Sequence, residues 1–180
     1  MPVHIALLRA INVGGHKPVA MADLRDWLTG LGMHDVRSLL QTGNLVFRSD
    51  ARKSGPLEAR LEAEAARRLD LQTDFFVRNA EEWAVIMDRN PFPAEAERDP
   101  GHLIVMFLKA AVEVADVEAL RAAIKGRETV HAVGREAYIV YPDGVGRSKL
   151  TTALLERKLR SRGTARNWNT VTKLGALARS

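Results

Sequence analysis

VRSLLQTGNLVFR, residues 36–48, is the stretch that decides the fold. Val36 to Leu40 and Leu45 to Arg48 read as two strands joined by QTGN (41–44), since glycine and asparagine supply the backbone freedom that a tight hairpin requires. Upstream, HIALLR (4–9) reads as a strand and NVGGHKP (12–18) as a Gly-rich turn. MADLRDWLTGLG (21–32) then places Leu24, Trp27, Leu28 and Leu31 at helical spacing, with Gly32 as the stop. Downstream, a charged helix from about Pro56 to Leu69 carries Leu57, Leu61, Ala65 and Leu69 on one stripe. TDFFVR (73–78) closes the unit as a strand. The order βαββαβ is the ferredoxin-like motif, a four-stranded antiparallel sheet with two helices on one face.

The chain then runs the same pattern again. A helix capped by Asn79 carries Trp83, Ile86 and Met87 inward, and NPFPAEAERDPG (90–101), with three prolines, reads as a linker. HLIVMFLK (102–109) is a strand, and Asp116 to Ile124 a helix with Val117, Leu120 and Ile124 on its apolar stripe. TVHAV (129–133) and EAYIVY (136–141) form a hairpin across Gly134 and Arg135. A helix from Ser148 to Leu159, a short strand near Thr164 to Arg166 and a helix from Asn169 to Ala178 complete the set. The expected fold is therefore α+β, a tandem pair of ferredoxin-like (βαββαβ) subdomains with mainly antiparallel sheets. They span residues 1–89 and 102–180, each with a trailing helix, about a linker at 90–101. FVRNAEEWAVI (76–86) also lies over TARNWNTVTKL (164–174), with Arg78-Asn79 aligned to Arg166-Asn167. Duplication explains this, and an unrelated pair of α+β units is the alternative.

Hydrophobic residues make up 46% of the 180-residue chain and aromatics only 6%, so the core is to be built from Leu, Val, Ile and Ala. The absence of cysteine excludes a disulfide framework, a thiolate zinc site and a cysteine nucleophile, and fits a reducing compartment. The apolar stretch from His4 to Ala10 is too short for a signal-peptide core and lacks a basic flank. No stretch approaches the roughly 18–20 apolar residues that span a bilayer, so no membrane partner and a cytoplasmic location are expected. Of the net charge of +5, the segment from Arg147 to Ser180 holds nine basic residues and one acid, leaving the rest at −3. Such an end attracts phosphates, nucleic acid or an acidic partner; the plainer reading is a solvated helix face and a basic tail.

Four polar clusters stand where strands give way to turns or helices. In RAINVGG (9–15) the glycines serve a left-handed turn or, with Arg9 and Lys17, an anion nest; Asn12, Gly14 and Gly15 are its candidate contacts. QTGN is a hairpin turn whose Gln41 and Asn44 offer amides to a ligand. In YPDGVGRSKLT (141–151), Ser148 is expected to cap a helix with Lys149 in its first turn and Arg147 beside it. Cations there oppose the macrodipole, and an anion between them resolves the conflict. In RNWN (166–169), Asn169 is the expected cap and Trp168 packs into the core or stacks on a base. Arg166 and Asn167 have no structural duty visible in the sequence and lean toward ligand binding.

Other chemistries lack their residues. His4, His16, His34, His102 and His131 are dispersed without metal-ligand spacing, so no metal is expected. No G-x-S-x-G or H-E-x-x-H motif occurs, and Ser148 has no base near it in sequence. The Walker spacing G-x-x-x-x-G-K is absent around Lys149. An RNA-recognition module needs aromatics on its central strands; HIALLR has none and LVFRS only Phe47, and the second half, with Phe107, Tyr138 and Tyr141, lacks the glycine-aromatic pattern, so a standard module is not expected. No cofactor is expected and catalytic residues are unassigned.

LLRAINVGG (7–15), QTGN (41–44), NPFP (90–93), YPDGVGRSKLT (141–151) and ARNWNTV (165–171) together resemble the bacterial DUF1697 proteins, a family of uncharacterised function, over essentially the whole chain. Family members often carry Gly where this chain has Ala10 and Ser where it has Thr42. The resemblance implies an α+β fold of two related subdomains and brings no enzymatic assignment. The leading expectation is a site between the subdomains for a phosphorylated or otherwise anionic small molecule, a nucleotide being one candidate. It gathers Arg9, Asn12, Gly14, Gly15, Gln41, Asn44, Arg147, Ser148, Lys149, Arg166, Asn167 and Trp168. The alternatives are a nucleic-acid-binding module using the basic C-terminal segment, or a protein-partner-binding domain without catalysis.

Overall fold

A computed structural model describes residues 1–9 and 19–180. The protein is α+β: among the described residues it has two four-stranded antiparallel sheets and seven α-helices. The chain divides into two compact units, Met1–Val85 with Lys173–Ser180, and Ile86–Thr172.

The first unit runs β1 (Val3–Leu8), α1 (Met21–Gly30), β2 (His34–Ser38), β3 (Asn44–Arg48), α2 (Ser54–Leu69) and β4 (Phe75–Asn79), and takes in the start of α3 (Ala80–Asp88). Its sheet order is β2-β3-β1-β4. Alternation along the strands sends Ala6, Leu8, Leu45, Phe47, Phe75 and Val77 to one face, where they pack with Leu24, Trp27 and Leu28 of α1 and Leu57, Leu61 and Ala65 of α2. These helix positions are the stripes read from the sequence. Ile5, Leu7, Val46 and Phe76 alternate with that set and are also fully buried.

The second unit contains α4 (Pro93–Arg98), a 3-10 turn (Pro100–His102), β5 (Leu103–Leu108), α5 (Val114–Ala123), β6 (Thr129–Val133), β7 (Glu136–Val140), α6 (Thr152–Leu159), β8 (Gly163–Asn167) and the start of α7 (Trp168–Arg179). The order is β6-β7-β5-β8. Met106, Leu108, Ala137 and Ile139 pack with Val117 and Leu120 of α5 and Leu155 and Leu159 of α6. The Pro-rich stretch read as a linker thus holds α4 and the 3-10 turn.

Three local readings are corrected. The β2–β3 connection is Leu39–Gly43 rather than QTGN alone, because the Asn44 side chain donates to the Leu39 carbonyl (2.9 Å) and to Thr42 Oγ1 (3.0 Å), drawing Asn44 into the sheet. Leu40 and Gly43 supply the positive φ values, 62° and 82°. Helix α6 starts at Thr152, not Ser148, and is capped by Thr151 Oγ1, which accepts from the Leu154 N–H (3.2 Å). Helix α7 starts at Trp168; Asn167 Oδ1, not Asn169, accepts from the Thr170 N–H (3.0 Å).

Candidate functional site

In the first unit the C-terminal end of β1 collects Arg9, Gln41 and Asn44. Leu7 pairs with Asn44, and the Leu8 N–H donates to the Gly43 carbonyl (2.9 Å), so the hairpin loop lies against the strand end. Arg9 is half-buried and pairs with Asp74 (3.5 Å). Asn44 is fully buried and spends its amide on its own loop, whereas Gln41 is exposed. Asn12, Gly14 and Gly15 lie outside the described residues.

In the second unit the remaining candidates sit at the end of the sheet where β5 begins. Val140 of β7 pairs with Leu103, and the Tyr141 N–H donates to the His102 carbonyl (2.9 Å), so residues 141–151 leave from there. Asn167 pairs with Ile104 at the same end. The duty missing from the sequence reading of Asn167 is the α7 cap. Trp168 is buried, 8% exposed. Arg166 pairs in register with Val105, so its side chain leaves the face opposite to that of Asn167. Its guanidinium donates to Thr164 Oγ1 (2.7 Å) and the Ala165 carbonyl (2.9 Å), and burial pushes its pKa down to about 10.

The turn from Tyr141 to Thr151 is tightly anchored. The buried Tyr141 hydroxyl donates to the Leu150 carbonyl (2.9 Å), and burial first, then the charge of Glu128, pushes its pKa up to about 12. Ser148 donates to Glu128 Oε1 (2.6 Å) and accepts from the Leu150 N–H (3.0 Å). Leu150 is buried in the core of this unit. Asp143 forms a two-point ion pair with Arg127 through Nε (3.1 Å) and Nη2. The Arg127 hydrogen bonds above all, aided by the charges of Arg127, Arg147 and His102, hold the Asp143 carboxyl below its ordinary range. Arg147 and Lys149 are exposed, and among the described residues no carboxylate lies within ion-pair distance of either.

Arg127 and Glu128 are components the sequence reading missed. The signal was available: the β6–β7 hairpin pairs Thr129 with Val140, which brings the residues just before 129 beside those just after 140. His102 also faces this turn, with Nδ1 2.8 Å from Asp99 Oδ2. Among the described residues no three His, Asp or Glu side chains are grouped to hold a metal. No described helix is long and apolar enough to cross a membrane.

The solved structure of the conserved bacterial protein SP0830 from Streptococcus pneumoniae is similar to this chain at 26% sequence identity, with a TM-score of 0.76 over 98% of both chains. No curated protein matches the sequence. A family model described as a protein of unknown function, DUF1697, matches residues 1–138, which ends before the turn at 141–151. That match spans well over half of the chain, and the protein belongs to the DUF1697 family.

Proposed function

We propose that the protein binds a small anionic molecule, with a phosphate or a similar group seated at the Tyr141–Thr151 turn. The observation that carries this is an imbalance of charge. Both acids next to the turn are engaged, Asp143 by Arg127 and Glu128 by Ser148, while among the described residues Arg147 and Lys149 have no carboxylate at ion-pair distance, the charge of Arg147 acting on Asp143 only from farther off. Leu150 and Tyr141 fix the loop from below, so the two cations are displayed on a braced turn. An anion there gains charge-assisted hydrogen bonds from Arg147, Lys149 and neighbouring hydroxyls. The sequence argument from a helix dipole no longer supports the site, since α6 begins three residues beyond Lys149.

A thermal-shift series with inorganic phosphate, pyrophosphate, nucleotides and short oligonucleotides, at low and high salt, tests this. The expected result is stabilisation by a small phosphorylated compound that disappears in the Arg147→Ala, Lys149→Ala double variant. An equal shift in that variant, or none in the unmutated protein, defeats the proposal. Binding of oligonucleotides alone, abolished by salt, would replace it with a nucleic-acid interface.

We also infer that the two sheets are a tandem pair of ferredoxin-like units produced by duplication. In support, both orders follow one scheme, and Ile5 with Arg78 occupies the register place of Val105 with Arg166. Asn79 and Asn167 each cap the helix after the fourth strand of their sheet, by accepting from Glu82 (2.8 Å) and Thr170 (3.0 Å).

A further inference from the structure

Strands β4 and β8 are both sheet edges. An edge strand turns alternate N–H and C=O groups outward, where they recruit another strand unless blocked. In the first sheet the bond from the Arg9 N–H to the Asp74 carbonyl (3.1 Å) sets the phase, so Phe75, Val77 and Asn79 point away from β1. All three N–H groups end on carboxylates: Phe75 on Glu62 (2.9 Å), Val77 on Glu58 (2.8 Å) and Asn79 on Glu82 (2.7 Å). The outward Val77 carbonyl accepts from Arg78 Nη1 (3.0 Å). That edge is closed.

In the second sheet the bond from the Lys109 N–H to the Arg162 carbonyl (3.0 Å) sets the same phase, and Gly163, Ala165 and Asn167 point outward. The Ala165 carbonyl accepts from Arg166 Nη1 (2.9 Å), as Val77 does from Arg78. The acids have no counterparts. Counted back from the left-handed C-caps Asp70 and Arg160, the positions that hold Glu62 and Glu58 in α2 hold Thr152, the first residue of α6, and Ser148, which precedes that helix. Thr170 takes the place of Glu82, three residues after the capping asparagine. Among the described residues no carboxylate meets the N–H of Gly163, Ala165 or Asn167. Gly163 is buried, whereas Ala165 and Asn167 are partly exposed.

We propose that the β8 edge docks an extended acidic segment of a partner protein, whose Asp or Glu carboxylates accept from the Ala165 and Asn167 N–H groups. Charge complementarity selects this occupant. From Arg157 to Arg166 the chain carries five cations and no acid, Arg160 being paired with Asp116 (3.4 Å). A second copy of the protein paired β8 to β8 brings the Arg166 of each copy to one shared edge, which like-charge repulsion opposes. The Arg166 guanidinium, with its pKa lowered by burial, is stabilised in its charged form by an added carboxylate. The edge proposal rests on the backbone N–H groups of Ala165 and Asn167 and the loop proposal on the side chains of Arg147 and Lys149, so either survives the failure of the other.

The test is backbone amide exchange and chemical-shift mapping of the 15N-labelled protein, free and with hexaglutamate, hexaglutamine or monomeric glutamate. In the free protein Ala165 and Asn167 exchange about tenfold or more faster than Val77 and Asn79. Hexaglutamate moves the Ala165 and Asn167 resonances and slows their exchange, hexaglutamine does neither, and Ala165→Pro, which removes the outward N–H, abolishes the effect. Three results overturn the proposal: Ala165 as protected as Val77 in the free protein, hexaglutamate acting only elsewhere, or monomeric glutamate acting as well as the peptide. The exchange comparison in the unmutated protein decides the matter even if Ala165→Pro does not fold.

Discussion

Replacing Glu58 with alanine tests whether carboxylates from α2 hold the β4 edge in place. Glu58 is a buried acid, 8% exposed, and one oxygen, Oε2, accepts from the Val77 N–H and lies 3.9 Å from Arg78 Nη1. Its loss leaves a buried N–H without that acceptor, which costs about 1–3 kcal/mol. It also takes an opposing charge from Arg78, which is 1% exposed, and breaking a buried pair costs about 3–5 kcal/mol. One carboxylate serves both contacts, so the terms overlap rather than add, and the expected loss is about 3–5 kcal/mol. Glu58→Gln keeps an acceptor oxygen and the side-chain volume, so it loses about 1–3 kcal/mol. Urea unfolding followed through tryptophan fluorescence gives the stability, and the exchange rate of the Val77 amide gives the local effect. A loss below about 1 kcal/mol for Glu58→Ala, with Val77 still protected, refutes the reasoning.

Gly163→Ala is expected to destabilise by about 1–3 kcal/mol, because its Cβ would stand 2.8 Å from the Phe107 carbonyl oxygen and 2.6 Å from Met106 Cε. Gly30→Ala meets nothing within 4 Å and should stabilise α1 by about 0.5–1 kcal/mol; denaturation curves of the pair check both. Asn167→Ala should cost about 1 kcal/mol through the lost α7 cap, and the exposed Asn169→Ala less than about 0.5 kcal/mol, a contrast that calorimetry resolves. His4 is buried, stacks on Phe47 and has its pKa lowered below 6.5, chiefly by burial. Well above pH 6.5 it is neutral folded and unfolded and contributes no pH dependence. As pH falls below that value the unfolded chain takes up the proton first, and stability drops by up to about 1.4 kcal/mol per pH unit until the folded pKa is reached. His4→Phe should remove this component from the stability profile between pH 7 and 5; an unchanged slope contradicts it.

The sequence pattern was sufficient for the strands and the amphipathic helices in their order, because period-2 and period-3.6 stripes are properties of the residues themselves, but it missed α4 and the 3-10 turn in the Pro-rich stretch. Leu24, Trp27 and Leu28 on α1, and Leu57, Leu61 and Ala65 on α2, face the core as their spacing requires. Boundaries failed where tertiary pairing decides between equivalent local choices. In RNWN either asparagine suits a cap, and pairing of Asn167 with Ile104 extends β8 and places the helix start at Trp168. In GRSKLTT both Ser148 and Thr151 suit a cap, and burial of Leu150 with the Ser148 bond to Glu128 pushes the helix start to Thr152. Glu58 and Glu62 stand beside the apolar stripe of α2, and nothing in the local sequence marks their partners. Only the phase of the β1–β4 ladder identifies the N–H groups they meet. Among the candidate site residues, Arg147 and Lys149 are exposed but lie ahead of α6 rather than in its first turn, whereas Asn44, Ser148 and Asn167 have structural bonds that local sequence does not display.

The most direct test of the anion site is a titration of the 15N-labelled protein with pyrophosphate at low salt, following every backbone amide. The account predicts saturable shifts concentrated from Arg147 to Thr152 that vanish in the Arg147→Ala, Lys149→Ala variant while its remaining spectrum is unchanged. Shifts confined to other segments, or a titration that leaves 147–152 unmoved, would contradict it.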